Sequence, residues 1–234
     1  MLRILIVFLA ALFFESIDYK KAFSDNYTRA LDFVSENTGL IVSYSAAYDT
    51  DPEIIMPVLF PEAIRYSIVS DYLETKSLEL AYVYSGSTDF SIGYFQMKPS
   101  FVENLEKSIR SHPQALSKYD SLLIPEDWQL TEIRKERLNR LKKLEYQVAY
   151  VNCMYDILKI LHPSIFKHSK EFQIQFVSTA FNHGFLSGQD EILEYSEKAF
   201  FPLNGKNNTP RYKYSEISLY FYKNDLPLIL SKKK

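Results

Sequence analysis

The chain has 234 residues, 47% hydrophobic and 24% charged, with a formal net charge of −2. This balance fits one globular domain and excludes a disordered, collagen-like or strongly basic nucleic-acid-binding chain. One cysteine excludes an internal disulfide and a cysteine-built zinc site. The four histidines show no metal-ligand spacing, so no metal is expected, and six glycines disfavour a turn-rich all-β fold.

At the start, Arg3 precedes an unbroken apolar run, Ile4–Phe14. A bilayer-spanning helix needs about 20 residues, so the run is too short to cross. It reads as the hydrophobic part of a secretory signal over residues 1–16, with cleavage somewhere in 16–24. The alternative is a buried N-terminal helix, against which the run is apolar on every face. Export is therefore expected, with residues 25–234 as the mature domain.

Asp51-Pro52-Glu53 marks a helix start, with an acceptor at the cap, Pro at the first position and an acid in the first turn. Ile55, Val58, Leu59, Tyr66 and Val69 then share one face. Pro57 and Pro61 predict a kink or a break into two helices. The pattern continues as a helix over Asp71–Tyr84, then a loop at Gly86–Asp89. Lys98-Pro99-Ser100 opens a helix through Val102, Leu105 and Ile109. Pro125-Glu126-Asp127 opens the longest pattern, which runs to Leu161 with a possible break near Thr131. The basic run Arg134–Lys143 reads as its solvated face. Further helices are predicted over Lys170–Asn182 and Ser215–Lys223, with an exposed loop over Pro202–Pro210.

Three segments carry chemistry. Glu62 falls in the middle of the apolar face, where desolvation raises a carboxyl pKa as a general acid near neutral pH requires. A buried salt bridge to Arg65 is the structural alternative. If Pro61 began a new helix, the helix dipole would lower that pKa instead. Ser91-Ile92-Gly93-Tyr94-Phe95-Gln96-Met97-Lys98-Pro99 is a loop delivering a polar tip into a helix. Ala180-Phe181-Asn182-His183-Gly184 ends an apolar helix and reads equally as a helix stop.

In this order the segments resemble the soluble lytic transglycosylases, lysozyme-like enzymes that cut bacterial cell-wall glycan. Their pattern is a Glu ending an apolar helix, S-x-G-L-M-Q-x-x-P, A-Y-N-x-G and a Tyr-containing terminal helix. Here the second and third motifs read S-I-G-Y-F-Q-M-K-P and A-F-N-H-G, and Arg211–Tyr222 looks like the terminal helix. The resemblance implies a mainly α, lysozyme-like domain with at most a small β element near the cleft. It implies Glu62 as acid and then base, Ser91, Gly93, Tyr94 and Gln96 holding the glycan, and Asn182 lining the cleft. No cofactor or metal is implied. The partner it implies is peptidoglycan, and the address it implies is the periplasm or cell envelope of a bacterium.

Two departures stand out. The family's spacing from acid to glycine favours Glu74, whereas the apolar-helix context favours Glu62. The Tyr of the third motif is Phe181, so any hydroxyl that assists the acid must come from another Tyr. Two rival readings are lysozyme-type hydrolysis, with Asp71, Glu74 or Asp89 as base, and a non-catalytic glycan-binding envelope protein.

Overall fold

The computed structural model describes residues 17–68, 72–202 and 210–232. The expected signal segment, residues 1–16, lies outside the described residues, as do Val69, Asp71 and most of the Pro202–Pro210 loop. The same holds for the side chains of residues 68 and 72–75, Glu74 among them. The helices are α1 (Tyr19–Phe23), α2 (Asp25–Ala47), α3 (Pro52–Ile68), α4 (Tyr72–Ser85), α5 (Pro99–Ser111), α6 (Pro113–Tyr119), α7 (Leu130–Leu141) and α8 (Leu144–Leu161). They continue with α9 (Lys170–His183), α10 (Gln189–Ser196), α11 (Tyr214–Asn224) and α12 (Leu226–Ser231). Among the described residues β-structure is limited to two isolated bridges, Ile92 with Met97 and Phe201 with Tyr212. The fold is mainly helical.

Helix α3 is the centre of the packing, touching α2, α8, α9 and α11. Every residue from Ile54 to Ile64 is buried. This explains why α3 runs unbroken through Pro57 and Pro61. Each proline removes one backbone hydrogen bond, but neighbours enclosing the helix on all sides hold it in place. The expected break is therefore absent, and Pro61 starts no new helix.

The long helix expected from Pro125 to Leu161 is two helices. α7 begins only at Leu130, because Gln129 and Glu132 form a reciprocal capping box. The break falls at Lys142-Lys143, not near Thr131. α8 is then buried on all faces from Gln147 to Tyr155.

The basic run is a solvated face only in part: Lys135, Lys142 and Lys143 are exposed, whereas the arginines are drawn inward. Arg137 is 5% exposed and forks onto Glu106, itself 4% exposed, through Nη2–Oε2 at 2.8 Å and Nε–Oε1 at 3.2 Å. Its Nη1 donates to Glu103 at 3.0 Å and to the Tyr82 hydroxyl at 2.6 Å. This network ties α4 and α5 to α7. Arg140 donates to Glu136 and to the Leu122 carbonyl.

The N-terminal segment belongs to the same core. Tyr19 and Phe23, upstream of residue 25, are buried against Tyr212. Tyr19 donates to Glu216, and Tyr27 to the buried Asp225.

Candidate active site

Glu62 sits in the middle of α3 and is 3% exposed. Arg65, one turn on, places Nη1 3.1 Å from Oε1, while Oε2 is buried without a hydrogen-bond partner. From α11, the Tyr214 hydroxyl donates to the Val58 carbonyl at 3.1 Å, hooking onto the turn that bears Glu62. The Tyr214 hydroxyl also lies close enough to the Glu62 carboxyl to favour its ionised form. Burial pushes the Glu62 carboxyl up to about 7, against the lowering effects of the Arg65 charge and of Tyr214. Glu62 is thus a buried ion-pair partner of Arg65, the structural alternative of the sequence reading, and burial raises its pKa in the direction that reading expected.

This raised pKa has a consequence for stability. Below the ordinary value of 4.5 the carboxyl is neutral in both folded and unfolded chains. Between there and about 7 the unfolded chain loses the proton while the folded one keeps it. Stability therefore falls as pH rises through that window, by about 3 kcal/mol in all. Glu62→Gln mimics the neutral carboxyl. It is expected to match the wild type at about pH 4 and to melt about 6–12 °C higher at about pH 8. Parallel thermal melts at the two pH values check this, and an equal difference at both would refute it.

The second motif forms a tight hairpin. Ile92 and Met97 exchange backbone hydrogen bonds at 2.9 and 3.1 Å. Gly93 has φ +71, and a Cβ there would lie 1.7 Å from Nε2 of Gln147 and 2.8 Å from the Leu141 carbonyl. Gly93 is thus fixed by turn geometry and close approach. Gln147 pins the hairpin from α8. Its Oε1 accepts from Phe95 N at 3.0 Å, and its Nε2 donates to the carbonyls of Ile92 at 3.0 Å and Leu141 at 2.5 Å. The break between α7 and α8 exposes the Leu141 carbonyl that Gln147 takes up.

Gln96 has φ +48, an uncommon region for a residue with a side chain, and its amide donates to Gly93 O at 2.9 Å. Ser91 is half-buried just before the bridge. Tyr94, at the hairpin tip, reaches Tyr66 of α3 with ring centroids 4.7 Å apart. Since Tyr66 follows Glu62 by one helical turn, Tyr94 is the residue that brings the second motif to α3.

The third motif arrives from the other side. Asn182 and Tyr214 line one narrow depression, together with Thr179, Tyr195 and Phe201. Its open volume of about 10 Å³ holds about one water. Tyr214 therefore stands between Glu62 and Asn182. Phe181 packs edge-on against Phe101 of α5, centroids 5.5 Å apart. The hydroxyl beside Glu62 comes instead from Tyr214, at the start of the terminal helix. Asp89, one of the possible bases, binds Ser100 N at 3.1 Å and Ser100 Oγ at 2.9 Å, capping α5. Asp71 and the Glu74 side chain lie outside the described residues.

Sequence reasoning did not assign Tyr214 or Gln147 to the site. The Arg211–Tyr222 terminal-helix pattern pointed to the helix but not to which Tyr. A glutamine inside an otherwise apolar helical run was the available signal for Gln147. Among the described residues no group of three His, Cys, Asp or Glu side chains is gathered to hold a metal. None of their helices is long and apolar enough to cross a membrane.

Comparison with known protein families, curated proteins and solved structures gives no match.

Proposed function

We propose that this protein is a peptidoglycan lytic transglycosylase with Glu62 as its single acid and base. The observation that carries the reading is a carboxyl buried at the centre of α3, raised to about 7, with one oxygen left unpartnered. Such a group holds a proton near neutrality and gives it up readily. The hairpin tip lies one turn away on one side, and Tyr214 with Asn182 on the other.

In the proposed reaction, protonated Glu62 gives its proton to the glycosidic oxygen between N-acetylmuramic acid and N-acetylglucosamine, and the bond from that oxygen to the muramoyl anomeric carbon breaks. The muramoyl 6-hydroxyl then bonds to the anomeric carbon, and its proton returns to Glu62. The products are a 1,6-anhydro-muramoyl end and a free N-acetylglucosamine hydroxyl, with no water consumed. Arg65 would stabilise Glu62 while it is ionised, and Tyr214 would hold its helical turn. Because Glu62 is covered, the side chains over it must move when a glycan enters.

A water molecule in place of the 6-hydroxyl would make the protein a lysozyme-type hydrolase. Mass spectrometry of fragments released from purified cell wall distinguishes the two. Anhydro ends are expected, reducing muramoyl ends would establish hydrolysis, and no fragments at all would leave a glycan-binding protein. The same reading places the protein in the cell envelope, with Ile4–Phe14 directing export. Lys at both Leu5 and Val7 should then retain the precursor in the cytoplasm, and unaffected export would overturn that placement.

A further inference from the structure

One turn beyond Glu62, α3 emerges from the interior. Its residues from Ile54 to Ile64 are all buried, whereas Tyr66 is 41% exposed. The Tyr66 ring is tilted 50° against Tyr94 of the hairpin. Tyr94 in turn stacks on Phe33 of α2, with centroids 4.3 Å apart and planes 20° from parallel. The buried Phe95 meets Phe33 edge-on at 6.1 Å and backs the group. Three rings from three separate elements thus form a braced aromatic surface with apolar area still open to solvent.

We propose that Phe33, Tyr94 and Tyr66 form a ledge on which one pyranose ring of the glycan strand stacks, next to the sugar whose bond is cleaved at Glu62. This rests on the glycan-cleaving reading given above. The C–H face of a pyranose is apolar and slightly positive, and it matches the negative face of an aromatic ring. Burial raises the pKa of the Tyr66 phenol, and the neighbouring Tyr94 adds to the rise. The two phenol groups set two polar handles at the ledge, suited to sugar hydroxyls. Four residues of helix rise about 6 Å, close to the length of one sugar unit. A ring on the ledge is therefore a neighbour of the ring at Glu62. Stacking that is equally strong before and during bond cleavage lowers KM without raising kcat.

The test uses full-length protein carrying Glu62→Gln, to prevent turnover, with chitotetraose as the probe. Titration followed by NMR is expected to move the Tyr66 ring signals. Tyr66→Ala in that background should weaken binding about tenfold, while Tyr66→Trp should retain it. Tyr66→Ala gives up the ring contact with Tyr94, so a drop of about 1–6 °C in melting temperature is expected, and affinity is measured well below it. In the active enzyme, Tyr66→Ala should raise KM with little change in kcat. Unmoved ring signals, unchanged affinity in Tyr66→Ala, or equal loss in Tyr66→Trp would each overturn the ledge. Glu62-dependent cleavage of cell wall with affinity indifferent to Tyr66 would overturn the ledge alone. Tyr66-dependent binding without any cleavage would keep the ledge and overturn the catalytic reading.

Discussion

Glu62→Gln is expected to lower the release of glycan fragments from cell wall by at least about 100-fold. General acid–base catalysis typically contributes 10²–10⁴-fold, and the amide can neither give nor take the proton. The exchange is nearly isosteric and fills the same buried place in α3, so the fold survives. A rate lost together with a melting temperature that is equal or higher above neutral pH identifies a chemical role rather than a packing one. Glu74→Gln is expected to cost far less. The reverse ranking would move the acid to Glu74, and full activity in both variants would end the single-acid mechanism.

Arg137→Met is expected to destabilise the protein by about 3–5 kcal/mol, because it strands the Glu106 carboxylate in the interior. Denaturant unfolding at neutral pH measures it. Adding Glu106→Leu should recover most of the loss, since a buried ion pair exchanged for apolar groups of similar volume is often neutral. If the double variant were no more stable than Arg137→Met, the packing of the arginine stem rather than its charge would be the main contribution. The exposed pair of Lys198 and Glu194, 2.9 Å apart, offers the contrast: such pairs are worth about 1 kcal/mol at most.

What the sequence made legible was set by local periodicity. α4, α5, α9 and α11 lie within a residue or two of their expected bounds, helped in α5 by a proline at its start and in α9 by the Ser169 cap. Glu62 was legible for the same reason, as a lone acid on such a face. The unbroken α3 was not, since two prolines argue locally for a break and only burial among the neighbouring helices overrules them. The Lys142-Lys143 break was hidden because apolar spacing continues across it from Leu141 to Leu144. Arg137 looked like surface because its partners, Glu103, Glu106 and Tyr82, lie far off in sequence. Tyr214 was one tyrosine among several in the terminal segment, and nothing local distinguishes the one that reaches Val58.

The contacts that close the fold join its two ends. Tyr19 meets Glu216, Tyr27 meets Asp225, and Tyr214 meets Val58, at sequence separations of 197, 198 and 156. Pairings this distant form only after the intervening chain has been ordered, and they slow folding. During synthesis, α3 leaves the ribosome long before α11 exists to pack on it. A nascent chain therefore carries Glu62 before the last of the helices that enclose α3 has formed. The surroundings of Glu62 are complete only once α11, which brings Tyr214, has packed on α3.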